Sequence, residues 1–98
     1  MSYIARLRDE AEQDIAAAAT WYEGQRTGLG HEFLDEMLAV IRRISEDPMI
    51  YPIVHRGARR ALMTRFPFGV FFRIANQHVV IVAVMHGSRN PRSWQSRT

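Results

Sequence analysis

Arginines carry most of the chemistry that this sequence can offer. All thirteen Lys-or-Arg positions are arginine, and eight of them follow residue 47. His86 lies three residues before one of these, Arg89. A guanidinium binds phosphate or carboxylate through two parallel hydrogen bonds, and an imidazole can exchange a proton near neutral pH. These residue types predict binding to an anionic partner, with His86 as a candidate base.

The distribution of charge supports the same interpretation. Residues 1–47 hold five arginines and all ten acidic residues, a net charge of −5, whereas residues 48–98 hold eight arginines and no acid, a net charge of +8. A GC-rich genome would favour arginine over lysine, but such a bias does not remove acids from one half of a chain. The asymmetry therefore indicates an anionic partner for the second half.

Length and composition limit the other classes of function. A chain of 98 residues is expected to form a single domain, 1–98, and its 47% hydrophobic and 23% charged residues are typical of a globular protein. No apolar run is long enough to span a membrane, and no signal peptide is evident. The absence of cysteine excludes disulfides and thiol catalysis, and the histidines are too scattered for a metal site. We expect no metal and no cofactor.

The acidic half contains two amphipathic segments, about 9–25 and about 29–46, which predict a helical hairpin. Asp9 is expected to cap the first helix, with Glu12 completing a capping box. Asp47-Pro48 ends the second helix. The apolar residues of the second helix recur at intervals of three and four: Phe33, Leu34, Met37, Leu38, Ile41 and Ile44.

The remaining elements are predicted strands. One short strand over 3–8 precedes the helices, and strands over 59–65, 70–75 and 78–85 follow them as an antiparallel meander. Residues 48–57, which contain two prolines, are predicted to be a loop. The predicted fold is α+β in the order β-α-α-β-β-β, with the helices packed on one face of a four-stranded sheet.

The last predicted strand is apolar on both faces, because Val79 to Met85 show no alternation with polar residues. Such a strand is usually covered on both sides, and one helical hairpin can cover only one. The other face needs the C-terminal tail, a second copy of the chain or another protein. The tail, 86–98, is basic and is expected to end as a loose segment, where Arg97 would matter little.

Several short motifs are informative through their order and spacing. They are Trp21-Tyr22, Gly28-Leu29-Gly30 with Phe33-Leu34, Pro48 with Tyr51-Pro52, Arg60 with Leu62, Phe66-Pro67-Phe68 with Phe71-Phe72-Arg73-Ile74, and His86 to Trp94. In these motifs the chain resembles, over nearly its whole length, the RelE/ParE toxins of bacterial type II toxin–antitoxin systems. The resemblance implies a small cytosolic toxin, held in a hetero-oligomer by a cognate antitoxin whose N-terminal part usually binds DNA.

Two activities share this family, so the resemblance alone leaves the target open. RelE-type toxins are ribosome-dependent mRNA endonucleases, and ParE-type toxins poison DNA gyrase. The nuclease pattern implies a basic residue where this chain has Gly69, and a tyrosine or histidine near the end, whereas no tyrosine follows Tyr51. A ParE-like gyrase poison is therefore the favoured prediction. The alternatives are an mRNA endonuclease, with His86 and Arg89 as catalytic residues, and a non-toxic interaction module derived from this fold.

Two sets of binding residues are predicted, without membrane contact or sequence-specific DNA binding by this chain. Contacts to the target are expected from Arg60, Arg65, Arg73, Arg89, Arg92 and Trp94. Contacts to the antitoxin are expected from Phe33, Met37, Arg60, Arg73 and Val82. Neighbouring strand residues point to opposite faces, so Arg59 and Arg60 cannot join one site. Packing at the edge of the core is the alternative role for Trp94, and a hydrogen-bonded structural role is the alternative for His86.

Overall fold

The computed structural model describes residues 2–98 and contains one mixed sheet flanked by helices. The elements in chain order are β1 (Ile4–Leu7), α1 (Asp9–Gln25), α2 (Leu29–Glu46), a 3₁₀ turn (Pro48–Ile50), β2 (Ile53–His55), β3 (Ala58–Leu62), β4 (Phe68–Ala75), β5 (His78–His86) and α3 (Arg92–Gln95). The strand order is β1-β5-β4-β3-β2, with β1 parallel to β5 and the other neighbours antiparallel. The predicted α+β class is confirmed, and the predicted strand, two helices and three later strands occur in that order, with β2 and the short helix α3 in addition.

The sheet has five strands, so the prediction of four was wrong. The additional strand is β2, within the segment predicted to be a loop, and it pairs with β3 across the two-residue turn Arg56-Gly57. These two residues have φ of 46° and 82°, as a type I′ hairpin turn requires. Pro52 obscured the strand in the sequence, although proline is tolerated beside an edge strand because no partner needs its N–H.

The helical hairpin covers one face of the sheet, which we call the helix face. Its core includes Ile15 of α1, Phe33 and Met37 of α2, and Phe72 and Ile81 of the sheet. The helices approach closely where a Cβ on Gly30 would lie 2.5 Å from the carbonyl oxygen of Ala19. A side chain at that position would push α1 and α2 apart, which explains the glycine in the first turn of α2.

The predicted capping box at the start of α1 does not form. Helix α1 begins at Asp9, and the residue before it, Arg8, occupies the N-cap position without a side-chain cap. Arg8 is still bonded to the sheet, since its N–H donates to the carbonyl of Ile81 at 3.0 Å. Strand β1 therefore passes directly into the helix, and Asp9 acts in the first turn, where a carboxylate is favoured by the helix dipole.

A β-bulge explains the unbroken apolar run in β5. Phe71 of β4 pairs with Ala83 and Phe72 with Ile81, so Val82 is an extra residue in β5. Val82 and Ala83 both pack on the second face of the sheet, which we call the tail face, with Phe71 and Trp94. Of the three covers that the sequence left open, the C-terminal segment is the one that the structure contains.

An ion pair fastens this C-terminal segment to α1. Arg97 donates from Nη1 to Oδ2 of Asp14 at 2.7 Å, and from Nη2 to Oδ1 at 3.2 Å. Arg97 also donates to the carbonyl of Val82, while Asp14 accepts the N–H of Val84. The ion pair thus supplies hydrogen-bond partners to backbone groups of Val82 and Val84, at the edge of β5 beyond the end of β1. The expected loose end was wrong, because Arg97 near the C-terminus is paired with a residue 83 positions away in the sequence.

Replacing Arg97 tests this clamp. We expect Arg97→Ala to lower the free energy of unfolding by about 1–2 kcal/mol, because it leaves the half-buried Asp14 carboxylate without its charged partner. Urea unfolding followed by circular dichroism measures the change. The exposed Arg43→Ala on α2 is the charge-matched control and should alter stability by less than about 0.5 kcal/mol. Equal midpoints for the two variants would show that the ion pair does not hold the segment.

Candidate functional site

Arginines from three strands lie on the tail face of the sheet. Arg6 of β1 and Arg73 of β4 are both in register with Val80 of β5, which lies between them. Adjacent strands are about 4.8 Å apart, so these two backbones are separated by roughly 10 Å. All acidic residues lie in α1, in α2 or at residue 47. The tail face is therefore basic at β3 and β4, where Arg60 and Arg73 form no ion pair with a carboxylate of residues 2–98, while Asp9 and Glu10 lie beside Arg6 at the β1 edge.

Arg73 is fixed against the β2–β3 hairpin. Its Nη1 donates to the carbonyl of Arg56 at 2.7 Å, and its guanidinium lies against Gly57. Two neutral contacts of this kind leave the positive charge of Arg73 uncompensated. They also hold the exposed Arg56 beside it, so the turn presents a second cation at the same place.

Arg60 occupies the centre of the β3–β4 pair on the same face. Its Cδ lies 3.4 Å from the position that a Cβ on Gly69 would take, and the Phe71 ring lies 3.2 Å from that position. Its Nε is buried without a hydrogen-bond partner. Gly69 therefore leaves space that Arg60 and Phe71 fill, and a side chain at residue 69 would have to displace them. Arg59 points the opposite way, donating to the carbonyls of Met49 and Tyr51, as strand alternation predicts.

Trp94 is part of the core of the tail face. Its indole is 7% exposed and stacks on Phe71, with ring centroids 4.1 Å apart and an interplanar angle of 16°. The ring of His55 contacts it edge-on at 5.8 Å. This geometry agrees with the packing alternative for Trp94 and leaves little of the ring available to a target.

Arg65 lies apart from the other predicted target residues. It donates to Glu32 of α2 at 2.7 Å, beside a second bridge from Arg26 to the same carboxylate at 3.2 Å. The hydrogen bond from Arg65 holds the pKa of the Glu32 carboxyl below its ordinary value. The charge of Arg65 is thus compensated on the helix side of the molecule, and it does not extend the basic tail face.

His86 lies on the helix face, at the end of β5. Its ring packs edge-on against Phe68 at 5.3 Å, and its Nδ1 accepts the backbone N–H of Ser88 at 3.0 Å. The Ser88 hydroxyl lies 2.8 Å from the same nitrogen. In the tautomer whose Nδ1 accepts this N–H, Nε2 bears the hydrogen and acts as a donor. The nitrogen that a general base would use is already occupied.

Arg89 and Arg92 are exposed beyond β5. The N–H of Arg89 closes a turn onto the carbonyl of His86 at 2.9 Å, and Arg92 opens α3 with its N–H bonded to Asn90 at 3.0 Å. Neither guanidinium has a hydrogen-bond or ion-pair partner among residues 2–98. Their backbones are held and their side chains are free, which suits contact with an external anion.

The apolar residues predicted to bind the antitoxin lie inside the protein. Phe33, Met37 and Val82 are at most 1% exposed. Their exposed neighbours on α2 are Leu34 and Leu38, of which Leu38 is 62% exposed. These two line a groove of about 630 Å³ between α1 and α2, together with Leu7, Ile15, Ala16, Ala19, Met37 and Ile41. This groove is therefore an accessible apolar surface of the hairpin, apart from the exposed Trp21 of α1.

Sequence reasoning missed Arg6, His55 and Leu38 as functional candidates. Arg6 lies at the far end of the chain from the basic half and joins its surface only through the parallel pairing of β1 with β5. His55 lay in a predicted loop. Leu38 was assigned, with its neighbours, to one wide apolar stripe on α2. That stripe is wider than the apolar face that a helix needs against a sheet, and its width was a signal that part of it stays exposed.

Residues 2–98 contain no group of three or more histidine, aspartate or glutamate side chains that could hold a metal ion. No helix within this range is long and apolar enough to cross a membrane.

Comparisons with known proteins give the same family as the motifs. The sequence model of the ParE toxin of type II toxin–antitoxin (parDE) systems matches residues 5–91. A solved structure of the chromosomal ParDE system from P. aeruginosa is similar with a TM-score of 0.75 and 16% identity, covering 87% of this chain and 96% of that one. The RelBE2 toxin–antitoxin complex from Mycobacterium tuberculosis is similar with a TM-score of 0.65 and 19% identity, covering 88% of this chain and 92% of that one. No curated protein matches the sequence.

The two tryptophans provide a test of this geometry. Trp94→Ala should lower the free energy of unfolding by about 3 kcal/mol, because it removes a buried ring stacked on Phe71. The matched Trp21→Ala should cost less than about 1 kcal/mol, since that indole is 61% exposed. Urea denaturation of both variants measures the difference. If both cost the same, Trp94 does not cover the sheet.

Proposed function

We propose that this chain, which belongs to the ParE toxin family of type II toxin–antitoxin systems, poisons DNA gyrase. We also propose that a cognate antitoxin neutralises it. The basic tail face, with the free arginines after β5, contacts the target. The proposal places the protein in the cytoplasm, where its target is found. The observation that carries it is the pair formed by Gly69, which supplies no cation on the tail face, and His86, whose Nδ1 is occupied by the Ser88 N–H.

RNA cleavage by a 2′-hydroxyl needs a base, an acid and cations around one phosphate. On the tail face Arg60 supplies one cation, Gly69 supplies none, and the ring of Trp94 is stacked in the core. His86 faces the other side of the sheet, and its Nδ1 is occupied. These features favour a toxin that acts by binding over one that cleaves RNA.

The mRNA endonuclease remains as a second candidate because of His55. This histidine lies at the tail face, in contact with Trp94 and next to the turn that Arg73 holds. It could supply the base that His86 cannot. A nuclease of this design would depend on His55 and on Arg60 or Arg73, and not on His86.

The antitoxin is proposed to cover the groove between α1 and α2. The groove is lined almost entirely by apolar side chains, and Leu34 and Leu38 are exposed beside it. An amphipathic helix would bury this surface, presenting apolar residues at intervals of three and four. Carboxylates in the following antitoxin segment would reach the uncompensated Arg60 and Arg73, which are partners that the sequence also predicted.

Gyrase assays test the target. Purified protein should inhibit DNA supercoiling or trap cleaved DNA with gyrase. Arg89→Ala and Arg92→Ala should each weaken this effect about ten-fold, because each removes a charged contact to the target. Arg42→Ala, an exposed arginine on α2, is the matched control and should change it less than two-fold, an estimate from its position away from the tail face.

The endonuclease alternative predicts a different result in these assays. If gyrase is unaffected and ribosome-bound mRNA is cut instead, the endonuclease is correct. His55→Gln should then abolish cutting, and His86→Gln should not.

The antitoxin groove is tested by a charge placed within it. Leu38→Glu should weaken the complex with the antitoxin at least about a hundred-fold, because a carboxylate would be buried against apolar side chains. Ile50→Glu is the control, since Ile50 is 68% exposed, in the 3₁₀ turn, against 62% for Leu38. Calorimetric titration measures both. Equal affinities for the two variants would place the antitoxin elsewhere.

A further inference from the structure

A second groove runs between α1 and the open edge of β5, away from the tail face. Strand β1 ends where Leu7 pairs with Ile81, so the rest of β5 has no strand neighbour on that side. Two cavities of about 230 and 400 Å³ lie there. They share Ala18, Phe68 and His86 as lining residues, so they adjoin each other, and we refer to the two together as the second groove.

An exposed aromatic ring forms one end of this groove. The indole of Trp21 is 61% exposed and lines the larger cavity. It is held edge-on by Tyr22, with ring centroids 5.1 Å apart, and Tyr22 packs in turn on Phe33 and Phe66. Trp21 is thus an accessible ring on a fixed support, which is the arrangement on which nucleobases stack.

Hydrogen-bond donors form the middle and the other end. His86 lies in both cavities and has its Nδ1 occupied by Ser88, so its Nε2–H is the free donor. Arg89 lines the smaller cavity, and its guanidinium has no partner among residues 2–98. Within that described part of the chain, Asp14 is the one carboxylate lining the groove, and Arg97 neutralises it. The donors therefore face an anion without a competing free acid.

We propose that this groove binds one nucleotide unit, with its base stacked on Trp21 and its phosphate held by Arg89 and the Nε2–H of His86. Trp21 follows Asp14 by seven positions in α1, which corresponds to about 10 Å along the helix at 1.5 Å per residue. That length accommodates a base, a sugar and a phosphate. Ala17 and Ala18 form the helical wall, and their methyl groups let a ligand approach the backbone. The inference goes beyond the proposed gyrase activity and does not depend on it.

Binding is tested with the purified full-length chain and no other protein. Fluorescence anisotropy of labelled twelve-residue oligo-dT and oligo-U gives the affinity at several salt concentrations. Trp21→Ala should weaken binding at least about five-fold through loss of stacking. Arg89→Ala should weaken it by a similar factor and reduce the slope of log K against log salt by about one. Arg42→Ala, with the same change of net charge away from the groove, should lower affinity less than two-fold, an estimate for a long-range charge alone.

The outcomes separate the sources of the nucleotide. A preference for oligo-dT supports a DNA strand, a preference for oligo-U supports RNA, and displacement of either by millimolar mononucleotide supports a free nucleotide as the ligand. The proposal is overturned if Trp21→Ala binds like the unmodified protein. It is also overturned if Arg42→Ala loses as much affinity as Arg89→Ala, because the attraction would then be net charge alone. Neither result bears on gyrase, which is absent from the assay.

Discussion

Strand β5 must be covered on both faces, and most of the architecture follows from that requirement. Its residues Val79 to Met85 are apolar on either side of the sheet, and the bulge at Val82 directs two consecutive side chains to the tail face. The helical hairpin covers one face, and Trp94 covers part of the other. Because the protein supplies both covers itself, the C-terminal segment belongs to the folded domain.

The same requirement separates the charges. The two helices carry the acids, so Arg60 and Arg73 of the tail face form no ion pair with a carboxylate of residues 2–98, and only Arg6 at the β1 edge lies beside acids, Asp9 and Glu10. Two acids of the helices do pair with arginines of the basic half, and these pairs are structural: Asp14 binds Arg97, and Glu32 binds Arg65. The basic surface and the apolar groove thus lie on opposite sides of one small domain. Target and antitoxin would meet different surfaces, although an antitoxin long enough to wrap the domain would reach both.

The sequence predicted the elements well where the pattern is local. The apolar spacing of α2 predicted that helix and Asp47-Pro48 predicted its end, and the lack of alternation in β5 predicted a strand with two covered faces. Strand β2 was missed because three residues next to a proline carry no periodic signal. The Asp9 cap failed because Arg8 remains bonded to β5, which is a tertiary contact.

The site was less predictable, because a site depends on which face each side chain occupies. Alternation separated Arg59 from Arg60 correctly, but nothing local shows that Arg65 turns toward Glu32 or that Arg97 reaches Asp14. Phe33 and Met37 were expected to bind a partner because the stripe of α2 is wide, whereas the sheet covers them and leaves Leu38 exposed. Burial of this kind follows from packing between elements that are distant in sequence.

The most direct test of this account is amide hydrogen exchange in β5 of the free protein, measured without any antitoxin. If the chain covers both faces itself, the amides of Val82 to Met85 should be protected to about the same degree as those of β4, close to the global free energy of unfolding. Exchange of these amides near the unfolded rate in the free protein, with protection only after antitoxin binds, would contradict it. The second cover would then come from the partner.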